Sequence, residues 1–250
     1  MRTWEEALQE HKQAVLNAGF KEENILGIFA YGSQNYKVET ENSDWDTKAI
    51  IIPTYEELVM RPPVSREIHL DNGEHCEVKD IREIVKNFKT QNINFIEILY
   101  TEYNWVNIIY KSLWTKYFIN NRHEIANYDI NKTIQSICGQ ALHTLSQNPN
   151  DPKKVANGFR LERFIDRYLN VANYRDCIVL PEEDREKIIY AKKTGNIIFS
   201  VNDIKSALEY YKTLSFVVNE KKQAEIEHIM EKGVFKLIAF ALRDNDYFAP

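Results

Sequence analysis

"ILGIFAYGSQNYKVETENSDWDTKAIII", residues 25–52, decides how the chain folds and where its chemistry lies. The apolar run from Ile25 to Tyr31 is rich in β-branched and aromatic residues and reads as a buried strand, which Gly32 punctuates. Gly32-Ser33 opens a short turn-helix. A polar loop then leads to Ser43-Asp44-Trp45-Asp46 and a second apolar run, Ala49 to Ile52, that stops at Pro53. In an extended segment Asp44 and Asp46, two residues apart, point to one face. Two carboxylates on one face repel unless a positive charge sits between them, and a divalent cation is the usual answer. Gly-Ser at a helix start offers free backbone N–H groups and a positive dipole end to a phosphate. Alone, either motif reads as a turn or a solvated loop. In this order, between two apolar strands, they have the layout of an enzyme that handles nucleoside triphosphates.

Gly32-Ser33, a ten-residue spacer and then Asp44-Trp45-Asp46 resembles the signature of the DNA polymerase β-like nucleotidyltransferase superfamily. The fuller wording "YGSQNY…NSDWDTKAIIIP" is most similar to the predicted nucleotidyltransferases of bacteria and phages. The resemblance implies metal-dependent transfer of an NMP from an NTP to a hydroxyl acceptor, with release of pyrophosphate. It implies that Asp44 and Asp46 hold two Mg²⁺ ions, or Mn²⁺ in their place, and that Glu77 is the third carboxylate, completing the acceptor-side metal. Gly32 and Ser33 would cradle the β- and γ-phosphates. Lys154 and Arg160 stand where relatives carry a Lys-Lys and a downstream Arg, and would neutralise phosphate charge. Asn157 takes the place of a histidine found in relatives, and Glu77 the place of a more usual Asp. The acceptor stays open between a small-molecule hydroxyl, a protein side chain and an RNA 3′ end. So do a toxin or defence enzyme acting on tRNA or protein, an inactive nucleotide-binding regulator and a metal-dependent phosphohydrolase.

The remainder of the chain fits this reading. With 250 residues, 14 Tyr and 12 Phe, it has ample material for a packed core. A net charge of −5 gives no global footprint for long nucleic acid. Cys76, Cys138 and Cys177 match neither a disulfide framework nor a zinc spacing, so reduced thiols in the cytoplasm are expected. The charged N-terminus does not read as a signal peptide, and no run is long enough to span a bilayer.

Thr3 and Glu6 predict a capping box on a first helix that Gly19 ends. "TYEELVMRPP" predicts a short helix, and "SREIHLDNGEHCEVKD" a β-hairpin with a type I′ turn at Asn72-Gly73. Glu74 is expected to be solvated in that turn, and His69 and His75 to be surface or packing residues. Asp80, the alternative third carboxylate, reads as an N-cap partnered by Glu83. The expected fold is α+β: a small mixed sheet flanked by helices (1–103, catalytic), then a helical region (104–250) contributing nucleotide or acceptor contacts. Helices are expected over 106–121, 124–146, 181–193, 202–219 and 220–242. Asp151-Pro152 starts another, carried to Arg175, in which Lys153, Arg160, Arg163 and Arg167 fall within an arc of about 80°. That arc reads equally as a phosphate-binding stripe or as a solvated face.

Overall fold

The computed structural model describes residues 2–170 and 173–244. Helix α1 (Trp4–Asn17) opens on the expected capping box, with Thr3 accepting from the Glu6 N–H and the Glu6 carboxylate accepting from the Thr3 N–H. There follow β1 (Ile25–Tyr31), the single turn α2 (Ser33–Tyr36), β2 (Asp46–Ile51), α3 (Tyr55–Met60), β3 (Ser65–His69) and β4 (His75–Asp80). Then come α4 (Ile84–Lys89), α5 (Ile93–Ile96) and a short strand β5 (Asn104–Val106). The fold is α+β, with the strands in the order β3-β4-β2-β1-β5. β2 and β4 are parallel and the other neighbours antiparallel, so the sheet is mixed.

The rest is helical: α6 (Ile108–Trp114) running into a π-helical turn (Thr115–Ile119), α7 (Arg122–Ala126), α8 (Ile130–Gln147), α9 (Pro152–Asn170) and α10 (Tyr174–Ile178), then α11 (Glu182–Thr194), α12 (Val201–Thr213) and α13 (Glu220–Asp244). The helix expected over 124–146 is two helices, because Asp129 caps a fresh start by accepting from the Lys132 N–H. The helix expected over 202–219 ends at Thr213, and 214–219 are irregular. The basic helix is described as far as Asn170 and does not run on to Arg175, because Asn173 caps the start of α10; residues 171–172 of its expected span lie outside the described residues.

The hairpin turn is not type I′, which needs positive φ at both central residues. Only Gly73 has it (+89°), and the loop closes through Gly73 N–H to Leu70 C=O and Leu70 N–H to Glu74 C=O. That is a three-residue connection with glycine in the left-handed position.

Two apolar layers hold the sheet. Trp4, Leu8, Val15 and Leu16 of α1 cover one face through Ile28, Ala49, Ile51, Cys76 and Val78. On the other face Leu26, Phe29 and Ile50 join a core that continues through the helices as far as Ala241. The boundary at 103/104 falls where β5 begins, and β5 pairs with β1. Gly27 permits this pairing: a Cβ there would lie 2.8 Å from the Trp105 carbonyl oxygen and 2.9 Å from the Phe29 ring. Gly27→Ala is therefore expected to destabilise the protein by about 1–3 kcal/mol, the usual cost of overpacking, read as a lower midpoint in denaturant at unchanged slope.

Candidate functional site

Parallel pairing sets Asp46 opposite His75 and Lys48 opposite Glu77. Side chains alternate along a strand, so these four share one face, away from α1. His75 Nδ1 lies 2.9 Å from Asp46 Oδ1, and its Nε2 lies 2.7 Å from the Tyr31 hydroxyl. A carboxylate only accepts, so Nδ1 carries the proton and the neutral ring accepts from Tyr31. The hydrogen bond to Asp46 holds the His75 pKa above its usual range, against the opposing effect of burial. Lys48 is 2% exposed; it pairs with Glu77 and lies 3.9 Å from the Tyr31 ring centre. Lys79 reaches the second Glu77 oxygen at 2.8 Å. Burial pushes the Glu77 carboxyl up, but the two lysines outweigh it and hold it below the ordinary value.

The Gly32-Ser33 turn borders this cluster. Tyr31 pairs with Asp46 across β1 and β2, and Gly32 follows with φ +82°. A Cβ on Gly32 would stand 3.4 Å from Asp46 Oδ2, so the bare backbone lies directly against the carboxylate. Ser33 is half-buried at the start of α2. Asp44 is exposed in the loop just before β2. Between the two aspartates Trp45 turns the other way and packs against Trp4 and Tyr103, as expected of a structural residue.

Glu74 is not solvated. It is 7% exposed, accepts from the Trp45 N–H at 2.9 Å and is bound by Arg2 and His11. Burial pushes its pKa up; these three donors together bring it below normal. The loop that presents Asp44 and Asp46 is thus anchored to α1. Asp80 is a structural cap: it is 1% exposed, accepts from the Arg82 N–H and holds the Arg82 guanidinium through both oxygens. Glu83 adds no reciprocal bond at the cap. His69 is exposed.

A second polar layer joins the sheet to the helices. Tyr36 donates to Glu97 at 3.0 Å, with Asn35 beside it at 3.4 Å. Glu97 is fully buried, and burial raises its pKa despite Arg160, Tyr36 and Lys48 nearby. Arg160 is 3% exposed, its guanidinium 3.7 Å from the Tyr36 ring centre and its Nε on Asn157 at 3.1 Å. Its Nη1 is buried without a hydrogen-bond partner among the described residues. From α11, Lys192 donates to the Val38 carbonyl at 2.7 Å. Two cations from separate helices thus meet the turn that follows Gly32-Ser33. An orphaned guanidinium nitrogen and a converging lysine form a donor set that fits an anion.

The arc on α9 is split rather than continuous. Arg160 is buried, Arg163 is spent on Asp184 (3.2 Å) and Asp166 (3.6 Å), and Arg167 on the Asp176 carbonyl. Lys154 is exposed, its backbone N–H capped by Asp151. His75, Tyr31, Lys48, Glu97 and Lys192 were missed from sequence. For Lys48 a signal existed, a charge inside an apolar strand two residues after Asp46. Among the described residues no group of three or more His, Cys, Asp and Glu side chains is arranged to hold a metal. Asp44 and Asp46 offer the oxygen donors that suit Mg²⁺, whereas both Glu77 oxygens are taken by lysines.

Lys192 carries a pH signature. Burial, then Lys153 and Arg160, push its pKa down to about 8, with Glu39 opposing. Between about pH 8 and the unfolded value of 10.5 the unfolded chain binds the proton that the folded chain has lost, so stability rises with pH in that window. Denaturant midpoints of wild type minus Lys192→Met are expected to increase from pH 8 to pH 10. A flat difference would place the lysine in solvent. No protein-family model matches the chain, and no curated protein matches it significantly.

Proposed function

We propose that the protein is a nucleotidyltransferase that moves an NMP from an NTP to a hydroxyl acceptor. The observation that carries this reading is the contact between the glycine backbone at Gly32 and the Asp46 carboxylate, with Arg160 and Lys192 converging on the next turn. A phosphate chain lying along Gly32 and Ser33 would have its negative end toward those cations and its α-phosphorus toward Asp44 and Asp46. The acceptor oxygen bonds to that phosphorus, the bond to the bridging oxygen breaks and pyrophosphate leaves. The hydroxyl proton passes to the carboxylates of this cluster. Mg²⁺, held by Asp44 and Asp46, would neutralise charge on the phosphates and the attacking oxygen.

His75, steadied by Tyr31, fixes the orientation of Asp46, and Lys48 does the same for Glu77. In this reading Glu77 would serve as the third ligand only where Lys48 or Lys79 gives up its oxygen; in the structure it anchors both lysines. Backbone donors at Gly32 and the Ser33 hydroxyl orient the β- and γ-phosphates, and Arg160 steadies the departing charge. Lys154 stands exposed at the start of α9, about 120° round the helix from Arg160, and in this reading would meet only a part of the ligand that extends into solvent. A cytoplasmic setting fits three cysteines that are all unpaired. No helix among the described residues is long and apolar enough to cross a membrane.

Incubation with each α-³²P-labelled NTP, Mg²⁺ or Mn²⁺ and cell extract tests the proposal. Label should enter a protein, RNA or small-molecule fraction, and Asp46→Asn should lower the rate at least about a hundredfold, the order lost with one charge-stabilising group. Full activity in that variant, or release of orthophosphate in place of pyrophosphate, would remove the assignment. Arg160→Gln is expected to weaken NTP binding about tenfold to a hundredfold, since a bond to a charged group is worth ~1.5–3 kcal/mol. Equilibrium dialysis with labelled NTP reads that loss directly.

A further inference from the structure

A cavity of about 540 Å³ opens between α9, α11 and the 195–200 loop that leads into α12. Phe159 and Phe199 form one wall as stacked rings, 4.2 Å between centres and 16° apart. Ile198, Ile204 and Ala207 add apolar surface, and the Glu162 carboxyl faces the same space, with the exposed Asp203 at its edge. Phe159 and Glu162 are three residues apart on one face of α9, while Arg160 lies about 200° round the helix from Glu162. The cavity is therefore separate from the site between α9 and the sheet.

The charges around it do not cancel. No lysine or arginine among the described residues pairs with Glu162: its neighbour Arg163 is held by Asp184 and Asp166, and Lys187, at the rim, is held by Glu183 at 2.6 Å. Burial raises the Glu162 pKa, with Arg163 and the nearby Tyr211 hydroxyl offsetting it only in part. A carboxylate against an aromatic wall, hydrogen-bonded by Tyr211 but in no direct ion pair among the described residues, leaves that pairing to a ligand.

We infer that this cavity binds a small organic cation with a flat apolar body, an arylalkylamine in chemical class. The ring would lie against Phe159 and Phe199, and the ammonium group would meet Glu162.

Tryptamine is the probe, with tryptophol and indole-3-acetate as neutral and anionic counterparts of the same ring system, titrated by calorimetry at pH 8 into the full chain. Saturable binding of tryptamine at least tenfold tighter than of either counterpart is expected. Glu162→Gln, which keeps the shape of the side chain and removes its charge, should erase that preference. Ala207→Phe, which fills the cavity, should abolish binding. Asp46→Asn should leave tryptamine binding unchanged, so the result is independent of the transfer reaction. Equal affinity for tryptamine and tryptophol, or unaltered tryptamine binding in either cavity variant, would overturn the inference.

Discussion

Because β2 and β4 run parallel and in register, Asp46 stands opposite His75 and Lys48 opposite Glu77, so the Asp46 carboxylate meets the His75 ring and the Lys48 ammonium meets the Glu77 carboxylate across the strand pair. A slip of β4 by one residue against β2 would turn His75 and Glu77 toward α1, into the layer where Cys76 and Val78 now pack. The alternation of buried and half-buried residues along β4 opposes that slip. Asp46, Lys48, His75 and Glu77 are therefore positioned by the same contacts that bury the sheet, whereas Asp44 stands exposed in the loop before β2.

The layer between sheet and helices is less economical. Lys48, Glu97 and Arg160 are all nearly or fully buried, and removing charges from water costs several kcal/mol each before pairing repays it. Lys48 recovers part of that cost through Glu77 and two aromatic rings, and Glu97 through Tyr36 and Asn35. Arg160 has the Glu97 charge nearby, one side-chain acceptor and one ring face, and one of its nitrogens is left bare. Among the described side chains none supplies the acceptor that this nitrogen lacks.

Much of this was legible in the chain. The strand at Ile25–Tyr31, the apolar run from Ala49 that belongs to the strand Asp46–Ile51, the capping box at Thr3, the cap at Asp80 and the start of α9 all follow from local rules that depend on a few adjacent residues. What was not legible depends on partners far away in sequence. Glu74 looks like a turn residue until Arg2 and His11 are brought to it, and His75 looks incidental until β4 is laid beside β2. The placing of Arg160 shows the same limit: helical periodicity groups it with Arg163 and Arg167, but only the packing of α9 against Tyr36 separates them. Lys192 has no local signal at all, since a lysine near the end of a helix is ordinary.

The short strand β5 also bears on the order in which the molecule can be built. β1 is flanked by β2 on one side and by residues 104–106 on the other, and the core that Leu26 and Phe29 join is completed by helices that come later still. A chain leaving the ribosome from its N-terminus therefore carries β1 with an open edge until residues 104–106 are made, and with one apolar face incompletely covered until the helical half follows. During that interval the most hydrophobic strand of the protein is the one best placed to pair with another copy. The sheet that carries the candidate site is begun first and completed late.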